Sequence, residues 1–308
     1  MTGSHLREIP VRTAVRSSMA GVRTALQTVF VLALFFGAVS LSDSAQYIIR
    51  SPNGRINWSA GEIITSGSGS PVDKQAPNAT DAEAAVYSIA MLNAGQNLFN
   101  ILQKVRIDSQ FRMEDLAARD PQLLVKAREM VYASPEVEDS RRLDDKGTLT
   151  VSLRFQLHGG FAQLVLPREI IHVDSITRVM PGKNAPAETA DPDAYTGLVV
   201  DARNIGTQPA MAPRILDENG RDVYGPAFAS REYAVQKGMS AYETDFDAAV
   251  VNPRIGDAPL IVKGLRTDGL GQCDIVIGNA DAARIRKSSE HLLFLRQCRV
   301  VIVLDAPK

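Results

Sequence analysis

Asp201 closes the apolar run Val199-Val200-Asp201, a strand end from which catalytic acids often project. Asp217, Glu218 and Asp222 follow, and with Asp201 they offer the carboxylates of a divalent-metal site for a hydrolase or phosphotransferase. The same three acids surround Asn219-Gly220, where Asp and Asn act as turn formers, and no convergent ligand set can be named. Histidine adds little. His5 lies in the leader, His158 at the wet face or the end of an alternating strand, and His172 and His291 stand isolated in sequence. No His-Glu-X-X-His helix and no Gly-X-Ser-X-Gly elbow occurs. Gly269 and Gly271 precede the Ile275-Val276-Ile277 run instead of following it; with Gly278 they read as turn glycines, not as a phosphate loop. These residues define no catalytic, metal or cofactor site, and the chain reads as a non-enzyme that needs no cofactor. The alternative is a periplasmic metal-dependent hydrolase using acids near Asp201.

The two cysteines, Cys273 and Cys298, are too few for a thiolate zinc site. In an exported protein an even pair suggests one disulfide. Each precedes an apolar β-branched run, Asp274–Ile277 and Arg299–Leu304. If those runs are adjacent parallel strands, both thiols lie at the same sheet end. Either the pair is bridged or it is two separate buried thiols.

The amino end carries an address. Arg7, Arg12, Arg16 and Arg23 precede the apolar run Val29–Phe36, and small or polar Gly37, Ser40, Ser42, Ser44 and Ala45 follow. A basic n-region, a short h-region and a small-residue exit make a secretory signal over residues 1–45. The run is shorter than the ~20 residues that cross a bilayer. Cleavage after Ser44 places Ser42 at −3 and fits better than cleavage after Ala45, which places Asp43 there. Translation starts at Met1 or at Met19. No cysteine stands near the exit, so membrane attachment would come only through an uncleaved leader. The expected location is the periplasm or outer-membrane periphery of a Gram-negative bacterium.

The 308 residues hold 34 basic and 35 acidic side chains. Without residues 1–45, which contain four arginines and two acids, the formal charge is −3. That balance gives no field for a polyanion, and nucleic acid is excluded as a partner. Hydrophobic content of 45% is that of an ordinary globular protein.

The elements that would position these groups read as follows. Gln46–Ser59 is extended, Glu62–Thr65 is a short strand, and the Gly/Ser/Pro-rich stretch Ser66–Pro77 is a loop. Thr80-Asp81-Ala82-Glu83 is a capping box that opens a long amphipathic helix through Val105. Asp120-Pro121 announces a second helix. Leu149, Val151, Leu153, Phe155 and Leu157 alternate with polar residues, a strand with one buried face, and a partner near Val137–Leu143 makes a hairpin. Pro181–Asp193 lacks large apolar side chains and reads as a linker. Arg214–Tyr224 is a hairpin around Asn219-Gly220. Asp245–Val251 is helical, Leu260–Val262, Ile275–Ile277 and Val300–Leu304 are buried strands, and Asn279–Leu295 is a helix between the last two. The fold class is α+β: a small antiparallel sheet packed on helices over 46–180, a linker at 181–194, and a second α/β domain with a βαβ unit over 195–308.

The leader, the alanine-containing helix Asp81–Val105 (Ala84, Ala85, Ala90, Ala94, Asn97, Leu98, Ile101) and the alternating strand Thr148–His158 resemble the Lpp-twenty lipoprotein family of bacterial envelope proteins. They are also similar to the amino-terminal domain of the flagellar assembly protein FlgT. The resemblance covers residues 55–165. The second half, Tyr195–Asn204 and Ile275–Asp305, resembles uncharacterised exported proteobacterial proteins that combine both regions. It implies an envelope component and carries over no functional residue. The chain departs from the lipoprotein members in having no lipid-accepting cysteine. The run ending at Asp201 also resembles the opening strand of zinc-dependent cell-wall amidases, but Ala202–Gly206 supplies no metal-binding histidine. The expected function is non-catalytic association, with envelope proteins or with itself, in an envelope or flagellar assembly. Carriage of a small ligand between the two domains is a further alternative.

Overall fold

The computed structural model describes residues 46–71, 79–170, 195–287 and 289–307. The leader, the side chain of Thr80, residues 181–194 and His172 lie outside the described residues; the backbone of Thr80, expected as a cap, is already helical, the helix beginning at Ala79.

The first layer begins with three antiparallel strands, β1 (Ile48–Ser51), β2 (Gly54–Asn57) and β3 (Glu62–Gly69). Helix α1 (Ala79–Gln103) follows, then α2 (Met113–Arg119) and α3 (Pro121–Tyr132). Asp120 caps α3 by accepting a hydrogen bond from the Gln122 amide at 3.0 Å, ahead of Pro121 at the first helical position. The two-residue β4 (Arg142–Leu143) and the long β5 (Leu149–Gln156) close a sheet of order β1-β2-β3-β5-β4. A short α4 (Gly160–Val165) comes next.

The Gly/Ser stretch is strand, not loop: β3 continues through Gly69, paired with β5 from Glu62↔Gln156 to Gly69↔Leu149. The reason is close approach. A Cβ on Gly67 would sit 2.0 Å from the Ala94 amide nitrogen, and one on Gly69 2.1 Å from the Val86 carbonyl oxygen. These glycines let α1 lie directly on the strand, over the buried small residues Ala90 and Ala94. The intervening serines point the other way and form a hydroxyl ladder with β5: Ser66–Ser152 at 2.9 Å and Ser68–Thr150 at 2.8 Å. On the helix side, Asn97 and Asn93 donate to the carbonyls of Ser66 and Ser68, each at 2.8 Å. The tract's polarity therefore serves the sheet, which is why a compositional reading takes it for a loop.

The second layer holds β6 (Gly197–Asp201), β7 (Ile215–Leu216), β8 (Asp222–Tyr224), α5 (Arg231–Lys237), β9 (Ala241–Glu243), α6 (Phe246–Val250), β10 (Pro259–Asp268), β11 (Asp274–Ile277), α7 (Asn279–Arg286), α8 (Ser289–Arg296) and β12 (Val300–Val303). Its sheet order is β8-β7-β11-β10-β6-β12-β9. Strands β10, β6, β12 and β9 form a parallel block, and β9–α6–β10 is its helical crossover. The fold class is thus a mixed α+β fold with a five-stranded antiparallel and a seven-stranded mixed sheet.

The strand–helix–strand passage through α7 and α8 differs from expectation. Strands β10 and β6 separate β11 from β12, and β11 is antiparallel to β10, so β11 and β12 run in opposite directions. This undoes the geometry proposed for a disulfide. Three strand spacings are roughly 14 Å, twice the Cα separation a bridge tolerates. Cys273 and Cys298 are both free and buried.

The described residues form one compact unit with one main core that runs through both sheets, not two cores flanking a linker. The Ala212 and Met211 amides donate to the carbonyls of Ile107 (2.7 Å) and Arg106 (3.1 Å). The Arg231 guanidinium donates to the carbonyls of Gln163 and Pro167. Gln46 bridges Glu243, adding a residue to the outer edge of β9.

Gly67→Ala should cost about 3 kcal/mol in urea unfolding, the upper part of the overpacking range, because backbone stands where the methyl would go. Ser68→Ala, on the exposed side, should stay within about 0.5 kcal/mol.

Candidate functional site

In parallel sheets ligands gather at the carboxyl ends of the strands. Here those ends carry Asp201, Glu243 and, just beyond β12, Asp305. Asp201 is nearly buried and saturated. Its Oδ1 accepts from the Arg203 amide (3.2 Å) and Nε (2.8 Å), and its Oδ2 from Arg203 Nη2 and Lys263 Nζ, both at 3.0 Å. Lys263 arrives through the parallel register Lys263↔Asp201. The Arg203 hydrogen bonds, opposed by burial and aided by Lys263, hold the Asp201 carboxyl well below the usual carboxylate range. Asp305 accepts from the Asn204 amide, and Asp245 caps α6 through the Ala248 amide. Glu243 accepts from Asn252 Nδ2 at 3.1 Å; burial pushes its carboxyl upward and nearby Asp245 adds to the rise.

The hairpin acids form a separate cluster. Asp217 is shielded from solvent and accepts from the Asn219 and Arg221 amides, Arg221 Nε and Arg286 Nη1. Burial would raise its pKa, but these donors outweigh it and hold the carboxyl at about 2. Glu218 accepts from the Asn279 amide at the start of α7, and Asp222 pairs with Arg214. Between β6 and β8 lie β10, β11 and β7, so four spacings of ~4.8 Å separate this cluster from Asp201, roughly 19 Å. The structure does not bring the sequence's candidate metal ligands together. Among the described residues no group of three potential ligands converges.

Two of the four histidines, His158 and His291, fall among the described residues. His291 packs between Tyr195 and Phe294 at tilted angles; its Nε2 accepts from the Tyr195 amide and its Nδ1 faces the Arg284 carbonyl. His158 sits where the two sheets meet, beside a cavity of about 20 Å³ lined by Trp58, Leu157, Met211, Met239 and Tyr242. That volume suits one water molecule. The nearby Arg254 guanidinium is buried against the carbonyls of Cys298, Lys237 and Gly238. Neither His158 nor Arg254 announces its neighbours in sequence. Arg203, two residues from Asp201, was the one partner within local reach.

Three larger hollows are open. An outer groove of about 310 Å³ lies over β5 and the start of α4, lined by Met130, Pro135, Arg154, Phe155, His158 and Phe161. A polar cleft of about 360 Å³ lies between Asp108–Phe111 and the Arg214–Asp222 pair. An apolar groove of about 640 Å³ runs between the start of α1 and the β4–β5 hairpin, lined by Pro71, Val86, Tyr87, Arg141, Leu143 and Leu149. Leu143, on edge strand β4, is 71% exposed beside it.

The second layer is thus a mixed-sheet domain in which Asp201, Asp217 and Asp222 are engaged in ion pairs and Asp245 in a helix cap. Residues 197–306 match the family model described as Treponema pallidum Tp0624, second domain, a bacterial family of uncharacterised proteins. None of the curated proteins matches the chain.

Asp201→Asn should cost about 1 kcal/mol at pH 7, because the cations that pair with this nearly buried carboxylate are themselves partly exposed and screened by solvent. A depressed carboxyl contributes fully above its unfolded pKa near ~4 and loses that contribution as pH falls toward the folded value. Thermal unfolding should therefore show wild type losing more stability than Asp201→Asn between pH 5 and pH 2; parallel curves would refute the ion-pair role. Burial raises both thiols above the ordinary range. A thiol reagent should label neither cysteine in the native protein and both in denaturant.

Proposed function

We propose that the chain is an exported, non-catalytic envelope component that acts by associating with other envelope proteins or with itself. The apolar groove beside edge strand β4 carries this reading: it pairs an exposed leucine with a strand edge that has no partner among the described residues, the combination used in strand addition. The non-catalytic part is supported by the saturation of Asp201 and Asp217, whose oxygens are occupied by arginine, lysine and amide donors. Export rests on the Arg7–Arg23 n-region and the run Val29–Phe36. The resemblance of the first layer to the Lpp-twenty family and to the FlgT amino-terminal domain is in keeping with an envelope or flagellar assembly.

Fractionation and mass spectrometry should find the mature chain in the periplasm with its amino terminus between Ser42 and Tyr47. Sedimentation and cross-linking in envelope fractions should show an assembly that Leu143→Asp weakens about tenfold, as for a hot-spot residue. A full-length chain retained in the cytosol, or a monomer with no cross-linked partner, would contradict the proposal.

A further inference from the structure

We propose that His158 is a pH-sensitive latch between the two sheets, closed when its imidazole is neutral and released when it is protonated. The ring stands just past β5 and is wedged between two glycines with positive φ, Gly61 in the β2–β3 turn and Gly238 at the end of α5. A Cβ on Gly61 would lie 2.3 Å from a ring carbon, and one on Gly238 2.8 Å from Nε2. The ring therefore fills the gap between an element of the first sheet and one of the second. Beside it, the Gly159 amide donates to the Val235 carbonyl at 2.7 Å, and Leu157 donates to Gly61 at 2.8 Å.

The charged surroundings are one-sided. From the loop after α6, Arg254 faces the ring while its guanidinium holds the carbonyl of Gly238 itself. On α5, Lys237 holds its ammonium over the Tyr233 ring. From β5, Arg154 lines the outer groove with His158 and is paired with Glu62 at 3.3 Å. From β9, the Tyr242 hydroxyl donates to the Ala210 carbonyl. Among the described residues, neither hollow touching His158 is lined by a carboxylate. A proton on the ring would add a cation to a half-buried site beside Arg254, where among the described residues neither hollow offers a carboxylate to receive it. Burial first, and Arg254 second, depress the imidazole's affinity for a proton.

The sign follows from linkage. An open joint returns the ring to water and to an ordinary pKa near ~6.5, so the open form binds the proton more tightly. Opening is favoured as pH falls below ~6.5, by up to about tenfold per pH unit until the closed form also titrates. Glu243 works the other way. Its upward-shifted carboxyl binds a proton more readily when closed, so its titration favours the closed joint in acid. Replacing His158 separates the two.

The chain's single tryptophan, Trp58, lines the same cavity and reports on the joint. From pH 7.5 to 5.0, Trp58 emission should shift to the red. Amide exchange in 156–161 and 232–240 should rise up to about tenfold per pH unit beyond the chemical rate, while 94–102 in α1 stays protected. In His158→Gln both responses should vanish or reverse. An unchanged slope in His158→Gln, or a rise spread evenly over α1 and the junction in the wild type, would overturn the latch. If His158→Gln does not fold, nuclear magnetic resonance of the wild-type imidazole decides. Titration of His158 above 6.5, or titration with no change at the junction, would overturn it equally.

Discussion

Trp58 of the first layer packs edge-on against Tyr242 of the second, with 5.9 Å between ring centroids, and both sheets are arranged around this meeting. Ser59 Oγ donates to the Tyr242 carbonyl, the Tyr47 amide donates to Ser59 Oγ, and the Tyr242 hydroxyl exchanges hydrogen bonds with Ala210. Such a joint fixes β9, and β9 fixes the edge of the parallel block. The constraint is burial: the inner faces of the two sheets contribute to one core, so neither can be dry alone.

The same constraint explains where charge is found. Acids at strand ends and hairpin tips cannot be left half-dry without donors. Asp201 takes Arg203 and Lys263, Asp217 takes Arg221 and Arg286, and Arg254, which has no carboxylate, takes three carbonyls. These side chains hold loops to sheets. Large apolar side chains stand exposed elsewhere, at Leu143 on the edge strand β4 and at Leu270 in the β10–β11 turn.

Features with a local cause were legible in the sequence. The α1 stripe, the Asp120-Pro121 start of α3, the alternation of β5 and the Asn219-Gly220 hairpin all appear where periodicity and turn chemistry put them. Features with a distant cause were not. Ser66–Gly69 reads as loop because the helix that demands its glycines lies outside the window. The order of β11 and β12, and hence the fate of Cys273 and Cys298, depends on β10 and β6 inserting between them. Asp201's second cation arrives only through the parallel register with β10. At the site, the acids were found by type, but their separation on the sheet was not legible.

The central claim is that the acids at Asp201 and around Asp217 are structural. Calorimetric titration of the mature chain with Mg²⁺, Mn²⁺, Zn²⁺ and Ca²⁺, followed by thermal unfolding at saturating cation, tests it directly. No saturable heat attributable to these carboxylates and no rise in Tm is expected. Saturable binding that raises Tm and disappears in Asp201→Asn would contradict it.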